Sequence, residues 1–141
     1  MTRGDGGARN GLGDDAERLA ARFREDMAAL DDERDDLERR LGTTRDAEDE
    51  LRSMLGRVRE ADLDAASPGS AVAARLGDAL DERSLALSRA AAEAEDELGA
   101  RIADNRRRAA EREARYGREA RALAARTDTE GDGAKRQVDH L

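Results

Sequence analysis

Ser67-Pro68-Gly69-Ser70 is the stretch whose reading decides the fold. Pro68 is the chain's one proline and stands near the midpoint of its 141 residues. Proline lacks a backbone N–H and disfavours helix in the residue before it. Glycine accepts the left-handed backbone that a tight reversal needs. The segments on either side carry helical periodicity. One break between two long amphipathic segments predicts an all-α fold, an antiparallel two-helix hairpin or coiled coil. The expected parts are a helix over 14–65, a turn over 66–70 and a helix over 71–126. The Gly-rich residues 1–13 and the polar residues 127–141 are expected to be disordered tails.

In the first segment, Asp14 and Asp15 supply carboxylates suited to a helix N-terminus. Leu19, Phe23, Met27, Leu30, Leu37 and Leu41 follow on one face. Gly42-Thr43-Thr44 interrupts the pattern and predicts a possible kink, with Thr43 and Asp46 resembling a capping-box restart. The stripe resumes at Ala47, Leu51, Met54, Leu55, Val58 and Leu63. After the turn, Ser70 is placed to cap the second helix. Its stripe runs through Val72, Leu76, Leu80, Leu87, Ala94, Leu98, Ile102, Ala109, Tyr116, Ala120 and Leu123.

A chain folded back at Pro68-Gly69 pairs residues whose numbers have a constant sum. Leu63 with Leu76, Met54 with Leu85, Leu41 with Leu98, Leu37 with Ile102, Leu30 with Ala109 and Phe23 with Tyr116 all give 139. Leu51 with Leu87 and Val58 with Leu80 give 138. Charge is mirrored in the same way. Residues 101–126 hold nine arginines against four acids, and residues 13–38 hold eleven acids against four arginines. An antiparallel hairpin joins these opposite fields. Exposed ion pairs contribute about 0–1 kcal/mol each, so their expected effect is orientation more than stability. The expected hairpin and partner interface is therefore Phe23, Leu30, Leu37, Leu41, Leu51, Leu63, Leu76, Leu80, Leu87, Leu98, Ile102 and Tyr116, with Pro68 and Gly69 at the turn.

Composition alone points elsewhere. The chain is 43% charged, has a net charge of −8 and only two aromatics, Phe23 and Tyr116. Such chains are commonly disordered unless their few apolar residues line one narrow stripe, as here. The seam is thin and Ala-rich, which predicts a marginal domain stabilised by a helical partner or by homo-oligomerisation. Arginine outnumbers lysine 25 to 1, a bias that also follows from GC-rich coding. With no cysteine, disulfides, thiolate metal sites and thiol nucleophiles are excluded. No apolar run reaches the length of a membrane span, and residues 1–15 have no apolar core of a secretory leader.

The chemistry-bearing residues do not form a constellation. His140 is the one histidine and has no partner near it in sequence. Asp31, Asp32, Asp35 and Asp36 lie along one side of a helix and read as a solvated, arginine-paired face. Asp128, Glu130, Asp132, Gly133 and Asp139 resemble a calcium loop, but Glu130 and Lys135 break its pattern and no exiting helix can follow. Arg3-Gly4-Asp5 is an adhesion tripeptide in a Gly-rich segment where short motifs arise by chance. Arg106-Arg107-Arg108 is the one basic patch. It lacks interleaved aromatics in an acidic chain, which argues against a nucleic-acid partner. No enzyme activity, metal or cofactor is expected.

Residues 63–76, Leu-Asp-Ala-Ala-Ser-Pro-Gly-Ser-Ala-Val-Ala-Ala-Arg-Leu, lead into an Ala-rich helix with a lone Tyr116. This pattern resembles the small helical-hairpin proteins associated with actinobacterial type VII (ESX) secretion, over about residues 15–126. The resemblance implies an antiparallel hairpin, pairing with a similar hairpin, and export without a cleaved signal peptide. The family's signal is a Tyr followed by an acid four residues on. Here Glu119 comes three residues after Tyr116, and the family's tryptophan is missing. The expected function is a non-enzymatic helical interaction module, a type VII secretion substrate or accessory protein. A cytoplasmic coiled-coil adaptor or scaffold is the alternative. The expected location is the cytoplasm, or outside the cell by that signal-less route.

Overall fold

The computed structural model describes the backbone of residues 3–65 and 69–139, and side chains over 11–129 apart from residues 63 and 66–68. Two α-helices account for it, α1 (Arg3–Ala65) and α2 (Ala71–Asp139), packed against each other as a helical hairpin. Ala, Arg, Glu and Leu dominate both, and these are strong helix formers. Pairs one turn apart, such as Arg52–Glu48, Arg101–Glu97 and Arg115–Glu119 at 2.7–2.9 Å, add a few tenths of a kcal/mol each.

The helix bounds differ from those expected. Helical backbone begins at Arg3 rather than at 14 and continues to Asp139 rather than 126. Extending a formed helix fixes one residue per hydrogen bond gained, so weak formers at an end can follow it. Thr127 and Thr129 stay in the helix with their hydroxyls donating to the Leu123 and Ala125 carbonyls, at 3.1 and 2.8 Å. Gly42 does not end α1. Thr43 and Thr44 cap nothing and instead donate to the Arg39 and Arg40 carbonyls, one turn back, at 3.0 and 2.9 Å.

The reversal falls where the sequence places it, between Ala65 and Ala71. Gly69 has φ +80°, the left-handed region where a Cβ is strained. Ser70 then caps α2. Its Oγ accepts from the Ala73 amide at 3.1 Å, and its carbonyl accepts from the Ala74 amide at 3.2 Å. Pro68 lies outside the described residues, as do His140 and the side chains of Arg3, Asp5, Leu63, Glu130, Asp132, Lys135 and Asp139.

The packing divides into two units, a turn unit of residues 34–104 and a terminal unit combining residues up to 33 with those from 105 onward. In the turn unit the seam on α1 is Leu37, Leu41, Thr44, Glu48, Leu55 and Asp62, all buried or half-buried. On α2 it is Ala73, Gly77, Leu80, Ser84, Leu87, Ala91, Ala94, Leu98 and Ile102, at heptad spacing. Among the described residues, Leu37, Leu80, Ala91 and Ile102 are the buried apolar ones of this unit. At the turn end of the expected hairpin and partner interface, Leu51 and Leu76 lie outside the hairpin contact, 46% and 37% exposed, and Met54, Val58 and Leu85 also face solvent. The small residues Ala73 and Gly77 occupy the seam there, which turns Val72 and Leu76 outward. On α1 the half-buried line continues from Glu48 to Leu55 and Asp62, which leaves Leu51 to one side of it.

Substituting Gly69 tests the turn. A Cβ there meets no heavy atom within 4 Å, so Gly69→Ala acts through the backbone alone. Gly69→Ala is expected to destabilise by about 1–2 kcal/mol and Ser70→Ala by about 1 kcal/mol, measured from urea midpoints of helicity. An unchanged midpoint in Gly69→Ala contradicts the turn.

Candidate interaction surface

The terminal unit is built on side chains that a purely apolar stripe does not contain. Phe23 on α1 and Tyr116 on α2 stack with ring centroids 4.3 Å apart and planes 10° from parallel. The Arg112 guanidinium carbon lies 5.6 Å from the Phe23 centroid, on the ring face. Arg112 Nε donates to Asp26 Oδ2 at 2.7 Å. The Arg112 side chain is only 10% exposed while Asp26 is 49% exposed, so the pair is anchored in the seam and opens to solvent at the carboxylate. Arg112 Nη1 is buried without a hydrogen-bond partner. A buried N–H without an acceptor is unfavourable, and the adjacent ring face offsets part of that.

Two turns further along the same face, Asn105 is 2% exposed, the most buried polar residue described. Its Nδ2 donates to the Leu30 carbonyl across the seam at 2.9 Å. A buried amide that reaches one particular carbonyl discriminates between staggers in a way that interchangeable apolar contacts cannot. Arg108 makes a bidentate pair with Glu33 nearby, with Nη1 at 3.2 Å from Oε2. Cross-helix charge pairing therefore follows the mirrored charges of the sequence.

Asn105 and Arg112 escaped the sequence reading because they are polar. The signal was present as spacing. Ile102, Ala109 and Tyr116 leave two seven-residue gaps, and Asn105 and Arg112 fill them at the 3–4 rhythm of a seam. Phe23, Leu30, Leu37, Leu41, Leu80, Leu87, Leu98, Ile102 and Tyr116 are buried or half-buried.

In the turn unit the two edges of the seam differ. Along one edge Arg45 meets Glu95 at 3.7 Å, Arg52 meets Ser88 at 2.9 Å and Arg59 meets Asp81 at 2.7 Å. These positions recur every seven residues on both helices. Several large apolar side chains also stay outside the seam. Leu51, Met54, Val58, Val72, Leu76 and Leu85 are 37–61% exposed.

Among the described residues, open grooves of about 230, 320 and 390 Å³ line the helix pair. The one of about 390 Å³ is bounded by Asp26, Glu33, Arg108 and Arg112. An anion entering it would have to displace carboxylates already held by those arginines. Asp31, Asp32 and Asp35 are exposed and Asp36 is half-buried, with Asp36 paired to Arg40 at 3.0 Å. Among the described residues, no group of three His, Cys, Asp or Glu side chains is placed to hold a metal ion. No described helix is long and apolar enough to cross a membrane.

Asn105→Ala is expected to lower stability by about 1–2 kcal/mol through the lost hydrogen bond and packing. Asn105→Asp is expected to be worse at neutral pH, because it sets a carboxylate against a carbonyl oxygen. Burial raises the folded pKa of the introduced carboxyl, so the extra penalty disappears as pH falls below that value. Thermal melts at neutral and mildly acidic pH test both expectations. Equal stability of the three chains at neutral pH contradicts the Asn105 contact. Comparison of the chain with protein-family models, curated proteins and solved structures finds no match.

Proposed function

We propose that the chain is a non-enzymatic helical protein-interaction module that acts by packing its hairpin against another helical surface. The exposed apolar set in the turn unit carries this reading. Val72 is 61% exposed and Leu51, Met54 and Val58 are each near half exposed, on a chain with very few large apolar residues. Grouped side chains of this kind mark contact surfaces rather than incidental exposure. The thin seam supports the same reading, because a marginal two-helix unit gains stability by mass action from anything that binds its folded form.

The resemblance around Pro68-Gly69 and Tyr116 supports a type VII secretion role, as substrate or accessory protein. One observation favours the second reading, a cytoplasmic coiled-coil adaptor. Tyr116 is stacked on Phe23, so a linear signal containing it would be engaged in the fold. Its acid also follows at three residues rather than four.

A photo-crosslinking residue at Val58 tests the interaction module in the native cell, with Asp49 as the control position. Crosslinks to a helical protein from Val58 and not from Asp49 are expected. Equal labelling, or none from Val58, contradicts the reading. Culture filtrate separates the two roles. Export lost in Tyr116→Ala and retained in Tyr116→Phe, which keeps the ring stack, supports the secretion role. Absence of the chain from filtrate under every growth condition favours the adaptor.

A further inference from the structure

Five of the six large apolar residues exposed in the turn unit, all but Leu85, fall on two heptad stripes. On α1 the stripe is Ala47, Leu51, Met54, Val58, Ala61 and Ala65, spaced 4-3-4-3-4, and every member is exposed. On α2 it is Val72, Leu76, Ala79, Arg83, Ala86 and Ala90, with the same spacing, again all exposed. A 4-3 repeat sustained over this length is the pattern of a helix seam, and the hairpin does not use it.

Both stripes emerge on one flank. On α1 the seam residues Glu48, Leu55 and Asp62 separate the ion-pairing edge of Arg45, Arg52 and Arg59 from the apolar stripe. On α2 the seam likewise separates Asp81, Ser88 and Glu95 from the second stripe. The edge residues meet across the seam, so the stripes share the opposite flank. Their members also match in register: Ala47 with Ala90, Leu51 with Ala86, Val58 with Ala79, and Ala65 with Val72 all sum to 137, within three of the sum of 140 shared by Arg45–Glu95, Arg52–Ser88 and Arg59–Asp81.

We propose that this flank binds a second copy of the chain, the two hairpins related by a two-fold axis along the helices, with both turns at the same end. This rests on the reading of the chain as a helix-pairing module and names its partner. In that arrangement α1 of one copy meets α2 of the other, antiparallel, in the register just given. Large residues then face small ones: Leu51 on Ala86, Val58 on Ala79, Leu76 on Ala61 and Val72 on Ala65. The flanking positions are complementary at every step. Glu50 meets Arg89, Arg57 meets Glu82 and Asp64 meets Arg75, each pair occurring twice by symmetry. All six residues are exposed in the single chain.

Charge rejects the alternative with the turns at opposite ends. Centred on Gly56, which brings the full stripes together, it sets Arg57 on Arg57 and Glu82 on Glu82. Shifted to cure that repulsion, it places Leu76 and Val72 against Glu93 and Glu97. Arg83, level with Met54, is the one charged residue in either stripe, and a dimer seam is strengthened by making it apolar.

Sedimentation equilibrium of the full chain tests the proposal, with circular dichroism showing that each variant stays helical. A dimer is expected. Arg57→Glu should weaken it about tenfold, since two pairs become repulsive. Adding Glu82→Arg should restore most of the loss, because the two residues point away from each other within one chain. Arg83→Leu should tighten the dimer. A monomer at high micromolar concentration overturns the proposal, as does a double charge swap that weakens the dimer beyond the single change. Either failure leaves the interaction module standing if Val58 still crosslinks to a different helical protein in the cell.

Discussion

Two helices that share one seam keep a single large freedom once each has formed, their stagger, and every other property of this chain depends on its being fixed. Backbone hydrogen bonds cannot fix it, because helices satisfy them internally. Generic apolar contact fixes it weakly, since alanine resembles alanine at each turn. The directional contacts do the selecting. Asn105 reaches the Leu30 carbonyl, Arg112 reaches Asp26, and Phe23 lies flat on Tyr116. In the turn unit Gly69 and Ser70 set the reversal, and the pairs along one edge repeat every seven residues.

These contacts differ in what they contribute. Arg59–Asp81 and Arg108–Glu33 are largely open to solvent, and exposed pairs of this kind add little stability. Their opposite signs act mainly by disfavouring wrong staggers, where arginine would face arginine. Arg112 is different because its side chain is nearly enclosed. Losing Asp26 would leave that charge with little to compensate it, a larger penalty than the pair's own net value.

Much of this was legible in the sequence. The reversal could be read from one proline and one glycine, and the register from Phe23 with Tyr116. Nearer the turn, Leu51 and Leu76 continue the apolar stripe of the sequence yet lie outside the hairpin contact, where Glu48, Ala73 and Gly77 are half-buried instead. Polarity hid Asn105 and Arg112, although their spacing placed them on the seam. The helix ends were drawn short because glycine and threonine are weak helix formers, a modest penalty when a helix is already propagating. The exposed stripes at 47–65 and 72–90 became visible as separate from the hairpin seam only once that seam was located.

The chain has one phenylalanine and one tyrosine, so a nuclear Overhauser effect between their ring protons is unambiguous in assignment. An isotope-filtered spectrum of mixed labelled and unlabelled chains tests the antiparallel stagger most directly. The account predicts a strong Phe23–Tyr116 cross-peak arising within single chains, from rings 4.3 Å apart. Absence of that cross-peak from a helical sample, or its appearance only between labelled and unlabelled chains, would contradict it.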